Sequence, residues 1–274
     1  MSGAALLREA AARLAAAGLP DPAADARRLV AHALGIEPGA VSLHTAEATP
    51  GQQEVLAAAL VARLARQPVA QITGWRDFWK HRFHVTSDTL DPRPETETLV
   101  AEALKLPWRS VLDLGTGTGA VLISLLAERP GAAGLGVDLS QAALAVARGN
   151  AERLGIAADF AVSDWFSVVT GRFDLIVSNP PYIAAAEMAG LSPEVRDWEP
   201  RLALTDEGDG LTAYRALARG APAHLAPGGT LMVEIGWTQG PAVAGLFAAA
   251  GLADVAVRQD LSGRDRVVLG RLPA

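Results

Sequence analysis

Apolar residues recur at helical spacing over the first 66 positions and are cut off by proline and glycine. Leu6, Leu7 and Leu14 precede Gly18 and Pro20; Asp21-Pro22 then reads as an N-cap with proline in the first turn, and Leu29, Val30 and Leu34 close at Gly35. Thr49-Pro50 repeats the signal before Val55, Leu56, Leu60 and Leu64. The pattern predicts a small helical domain over residues 1–68. From Gln71 to Asp88 the apolar positions become aromatic and β-branched (Trp75, Phe78, Trp79, Phe83, Val85), which predicts a β-hairpin inside a linker of residues 69–92. Pro92-Arg93-Pro94 halts the chain, and a helix carrying Leu99, Val100 and Leu104 is expected to start near Pro94.

Beyond this point short apolar runs alternate with helical patterns. The runs are SVLDL (110–114), LGVD (135–138), DFAV (159–162), FDLIVS (173–178) and TLMVEI (230–235). Strands alternating with helices predict an α/β domain over residues 93–274, its sheet parallel and covered on both faces.

Composition narrows the field. Half of the 274 residues are hydrophobic, enough for a sizeable core, and the formal charge of -6 disfavours broad binding of nucleic-acid phosphates. There is no cysteine, hence neither disulfide framework nor thiolate metal site, and no apolar run approaches the ~20 residues of a membrane span. A cytoplasmic protein that acts as a monomer is expected. His32, His44, His81, His84 and His224 are scattered without metal-ligand spacing.

Candidate chemistry gathers at strand ends. Gly115, Thr116, Gly117, Thr118 and Gly119 follow the first strand of the α/β region and open a helix, so the backbone there can turn tightly and approach a ligand. Asp138 ends the next strand, about 20 residues on, where a carboxylate can take both hydroxyls of a ribose. The glycines are spaced GxGxG, which suits a nucleoside without a pyrophosphate better than a dinucleotide; S-adenosylmethionine is such a ligand. Asp164 and Trp165, after the third strand, offer an acceptor and an aromatic face for an adenine, although Trp165 serves core packing equally well.

The fourth strand stops at Asn179, Pro180, Pro181 and Tyr182. Prolines have no N–H, so this loop accepts hydrogen bonds and hardly donates them. A planar –NH2 can give its two hydrogens to the Asn179 oxygen and the Pro180 carbonyl, with Tyr182 covering it by stacking. An acyl-transfer oxyanion would need donors, which argues against a hydrolase. An adenine-N6 methyltransferase, a nicotinamide dehydrogenase and a non-catalytic nucleoside-binding protein remain as other readings.

DLGTGTG with Asp138 resembles the class I S-adenosylmethionine-dependent methyltransferases, and NPPY is similar to their amino-methylating branch. DPRPETETLV, SDWF, EPRLAL, GDGLTAYR, VEIGWTQG and DLSGRDRVV together resemble one family, the peptide chain release factor glutamine methyltransferases (PrmC/HemK). The resemblance implies a Rossmann-like domain with a mostly parallel seven-stranded sheet. It implies N5-methylation of the glutamine in the GGQ motif of class I release factors, with S-adenosylhomocysteine as product. Gly115 to Gly119, Asp138, Asp164, Trp165 and Asn179 would hold the cofactor. Asn179, Pro180, Pro181 and Tyr182 would hold the glutamine amide, and the helical domain and hairpin would help to dock the factor. Methylation of a ribosomal-protein glutamine is the variant reading. Asp91 departs from the aliphatic residue usual before PRP.

Overall fold

The computed structural model describes all 274 residues. Four helices come first: α1 (Gly3–Ala16), α2 (Pro22–Leu34), α3 (Pro50–Leu64) and α4 (Val69–Thr73). A hairpin of β1 (Trp75–Phe78) and β2 (His81–His84) follows, then α5 (Glu97–Leu104), β3 (Ser110–Leu114), α6 (Ala120–Ala127), β4 (Ala133–Asp138), α7 (Gln141–Leu154), β5 (Asp159–Val162) and β6 (Phe173–Ser178). Two one-turn helices, α8 (Pro193–Arg196) and α9 (Arg201–Leu204), lead to α10 (Thr212–His224), β7 (Leu225–Glu234), α11 (Gly240–Ala249), β8 (Ala253–Gln259) and β9 (Asp265–Arg271). No helix is long and apolar enough to cross a membrane.

The chain divides into two compact units, one of residues 1–75 with 192–198 and one of residues 76–191 with 199–274. In the first, the punctuation read from the sequence forms real caps. Asp21 accepts the Ala24 N–H at 3.3 Å and Gly35 ends α2 at φ 69°, while Thr49 and Gln52 bond each other's backbone N–H in a capping box. Leu14, Leu29, Val30, Val41 and Leu60 fill its core. Buried Arg63 donates to Asp25 at 2.7 Å and to Glu194 at 3.1 Å, and the Trp198 indole donates to the Ala65 carbonyl at 3.2 Å. The returning segment 192–198 is thus tied into the helical unit by charge and not by apolar packing alone.

The second unit is built on a seven-stranded sheet in the order β5-β4-β3-β6-β7-β9-β8. The first five strands run parallel; β9 is antiparallel to both β7 and β8. Successive residues of the central strands alternate between two cores: Val111, Leu175, Val177, Met232 and Val267 pack with α5 and α6, whereas Leu112, Ile176, Leu231, Val233 and Val268 pack with α10 and α11. A period-2 strand buried on both faces has to read as a continuous apolar run, which is how these strands read in the sequence.

Candidate active site

Order reversal at β3, flanked by β4 and β6, opens a crevice beyond the carboxyl ends of the strands. It encloses about 370 Å³ and is lined by the glycine loop, Asp138, Asp164, Trp165, Asn179 and Pro181 among others. The sequence-predicted residues therefore converge, with two distinctions. Pro180 is buried, and Tyr182 turns its hydroxyl inward onto Glu234 Oε1 at 3.3 Å.

Gly115 and Gly117 adopt φ of 74° and 53°, and a Cβ on either would meet no protein atom within 4 Å. The loop is thus left-handed and open where a ligand can approach. Gly119 serves packing instead, since a Cβ there would lie 2.8 Å from Ile123 and 3.2 Å from Ala147. Asp138 braces the loop: its Oδ2 accepts the Gly117 N–H and its Oδ1 the Ser140 N–H, both at 2.9 Å. Each oxygen keeps a lone pair for a further donor. Below the loop Thr116 donates to Asp113 at 2.7 Å, and burial pushes the Asp113 carboxyl up to about 7. Trp165 takes the left-handed φ of 49°, lines the crevice and packs against the apolar core.

Asn179 Nδ2 donates to the Thr96 hydroxyl at 3.3 Å, and no protein donor bonds its Oδ1. Following prolines add no N–H. The wall at this point accepts hydrogen bonds and offers almost none, in a crevice whose surface is otherwise mostly apolar.

Several residues that shape the site escaped the sequence reading. The NPPY backbone is clamped by Gln239, whose Nε2 donates to the Tyr182 carbonyl at 3.0 Å and whose Oε1 accepts the Gly236 N–H at 2.9 Å. Asp206 gathers the N–H groups of Gly208, Gly210 and Thr212 at 2.8 to 3.0 Å, and a Cβ on Gly210 would lie 2.4 Å from the Tyr182 carbonyl. Arg93 grips Glu199 at 2.6 and 2.5 Å, joining the PRPETE and EPRLAL stretches; burial pushes Glu199 up to about 7, opposed by Arg93. Buried Asn150 bonds both backbone groups of His84 and the Thr118 carbonyl, which fastens the hairpin to the glycine loop. Asp91 is also buried, with Oδ1 unpartnered and its carboxyl held above the usual range by desolvation. Arg93, Glu199 and Gln239 lie in the stretches that carried the family resemblance, Asp91 stood out there as a departure, and Asn150 and Asp206 lie in none of them and gave no signal.

A PrmC N-terminal domain model matches residues 5–74 and a methyltransferase small domain model matches residues 87–191. The release factor glutamine methyltransferase of Cereibacter sphaeroides is 61% identical over 277 residues, covering 100% of both chains. That of Rhodospirillum rubrum is 48% identical over 272 residues, covering 97% of this chain and 84% of its own. Among solved structures, a methyltransferase from Pyrococcus furiosus shares the fold at a TM-score of 0.53 and 18% identity, over 70% of this chain and 89% of that one.

Proposed function

We infer that this chain, which belongs to the family of release factor glutamine methyltransferases, transfers a methyl group from S-adenosylmethionine to the side-chain amide nitrogen of a release-factor glutamine. The glutamine is that of the GGQ motif in class I factors, and the helical unit is a docking element for the factor. The observation that carries the chemical reading is the orientation of Asn179, with its nitrogen tied to Thr96 and its oxygen free at the crevice.

The residues present fit the cofactor. Gly115 and Gly117 leave open space at the backbone, and the Asp138 carboxylate, half-buried beside them, has lone pairs for two ribose hydroxyls. Asp164 and Trp165 line the same wall and suit an adenine. When bound, the donor supplies an electrophilic methyl on a positive sulfur.

The chain's own task is to make an amide nitrogen nucleophilic. Its lone pair is delocalised, as the rotation barrier of about 18–20 kcal/mol records. As the nitrogen attacks, it leaves conjugation and its hydrogens become more acidic. With Asn179 Oδ1 and the Pro180 carbonyl as acceptors for those hydrogens, the transition state is bound more tightly than the ground state, which is the condition for acceleration. Tyr182 covers the planar group, and the excess proton leaves to water after transfer.

Asn179→Ala tests the reading. Losing one preorganised polar group is expected to lower kcat by about 10²–10³ while donor affinity falls less. Unchanged turnover in single-turnover assays with a release factor would refute the role given to Asn179.

A further inference from the structure

A proline pair can be tied down only through its carbonyls and its neighbours, because it has no N–H to give. Donors that hold such a loop in place have to come from other segments. Gln239, in the turn between β7 and α11, is one. Its Nε2 donates to the Tyr182 carbonyl at 3.0 Å and to the Gly210 carbonyl at 3.3 Å. Its Oε1 accepts the Gly236 N–H at 2.9 Å and lies 3.3 Å from the Tyr214 hydroxyl.

Counting hydrogens fixes the direction of this amide, and no partner in the count is charged. A primary amide has two hydrogens and an oxygen with two lone pairs. Here both hydrogens meet carbonyls, and the oxygen meets a backbone N–H and a hydroxyl. A flipped amide would set oxygen against two carbonyls and –NH2 against an N–H. Tyr214, fully buried on α10, backs the amide and shares its hydrogen with the Glu234 carbonyl at 3.0 Å. The space is cut to the same group. A Cβ on Gly210 would lie 2.4 Å from the Tyr182 carbonyl oxygen and 3.1 Å from Gln239 Nε2, and one on Gly236 would lie 2.9 Å from Gln239 Oε1. One residue past Tyr182, the Ile183 N–H donates to the Leu204 carbonyl at 3.0 Å. The chain leaving the prolines is thus held at a carbonyl and at an N–H, each by a different segment.

We propose that Gln239 is a positioning residue for methyl transfer: it latches the main chain of the NPPY loop through the Tyr182 carbonyl and so places the Pro180 carbonyl and the Tyr182 ring for the substrate amide. The proposal rests on the amide-clamp reading above.

The test uses the intact protein and a purified release factor. Gln239→Met keeps the length of the side chain and removes both donors. Its kcat is expected to fall about ten- to a hundredfold, since a misplacement of about 1 Å at reacting groups can cost about 10²-fold, while affinity for S-adenosylhomocysteine stays within about twofold. Gln239→Glu keeps the shape and the acceptor for Gly236 but turns an oxygen toward two carbonyls, and should lose at least as much. The chain has two tyrosines, Tyr182 and Tyr214, so fluorotyrosine labelling gives each its own fluorine NMR resonance, assigned with Tyr182→Phe. Release of the latch is expected to broaden or split the Tyr182 resonance in Gln239→Met.

Full kcat in Gln239→Met while Asn179→Ala is impaired, or an unmoved Tyr182 resonance, overturns the latch and leaves the amide clamp standing. A loss of S-adenosylhomocysteine affinity as large as the loss of kcat overturns it too, as general damage to the crevice. Full kcat in Asn179→Ala overturns the clamp and the latch together. If Gln239→Met does not fold, Gly236→Ala decides by the same readouts, because its Cβ pushes on Gln239 Oε1 with every atom of the latch still present.

Discussion

Replacing Asp138 with alanine separates cofactor binding from chemistry. Its two carboxylate oxygens each hold a backbone N–H, of Gly117 and Ser140, at 2.9 Å, and each retains a lone pair toward the crevice. A hydrogen bond to a charged group contributes about 1.5–3 kcal/mol, and a ribose brings two hydroxyls, so the gross loss lies near 3–6 kcal/mol. Asp138 is only half-buried, and water entering the gap solvates the freed hydroxyls, which favours the lower figure. At about 1.4 kcal/mol per tenfold, affinity should fall by about 10². Asp138→Asn keeps one acceptor but turns its –NH2 toward one of the two backbone N–H groups, so a loss of about tenfold is expected from it. Calorimetric titration with S-adenosylhomocysteine reads both values. Because Asp138 touches no reacting atom in this account, kcat at saturating donor should change far less than affinity. Affinity within twofold of the parent, or a collapse of kcat at unchanged affinity, would refute the ribose assignment.

Two further outcomes concern stability. Arg63→Ala leaves Asp25 without its buried partner and frees Glu194, and is expected to cost about 3–5 kcal/mol in denaturant unfolding of the helical unit; a loss under 1 kcal/mol would show the ion cluster to be incidental. Burial raises the carboxyls of Asp113, Glu199 and Glu234 to about 7. Between about pH 4.5 and 7 the folded chain therefore holds protons that the unfolded chain has released, and stability falls as pH rises through that window. Below about pH 4, protonation of Asp174 and Asp206, whose carboxyls are held low by hydrogen bonds, removes stability from the other side. Thermal midpoints should peak near pH 5 and decline toward pH 8, with a shallower decline in Glu234→Gln; a flat or rising profile from pH 5 to 8 would contradict these burial effects.

Legibility in the sequence followed locality. β3 and β6 were readable to their end residues, since a strand buried on both faces leaves an unbroken apolar run; β5, a partly exposed edge strand, was bounded from the short run DFAV alone. β4 begins earlier than its pattern, because Ala133 and Gly134 are poor strand formers held by pairing with Ser110 and Val111. β7 likewise begins at Leu225 and passes through Pro227, Gly228 and Gly229, residues that speak for a turn, with a register shift opposite. β8 carries Asp254, Arg258 and Gln259 on a half-exposed edge, and no apolar pattern located it; only the family resemblance supplied seven strands. In the site, the glycine loop, Asp138 and Asn179 stood out because each is a short motif with its own chemistry. Glu234, Thr96 and Gln239 act by contacts across about 50 to 85 residues and Asp206 by gathering backbone N–H groups, and no local spacing encodes either. Asp91 is the instructive exception: its departure from an aliphatic residue was visible, and the structure finds it buried with an unpartnered oxygen.

The most direct test of the account is transfer of label. The purified protein is incubated with tritiated S-adenosylmethionine and, separately, a class I release factor, the same factor with its GGQ glutamine changed to alanine, and plasmid DNA. Label on the unaltered factor alone is the predicted result and makes the NPPY loop an amide clamp. Label on DNA, or equal label on the factor lacking the glutamine, would contradict it.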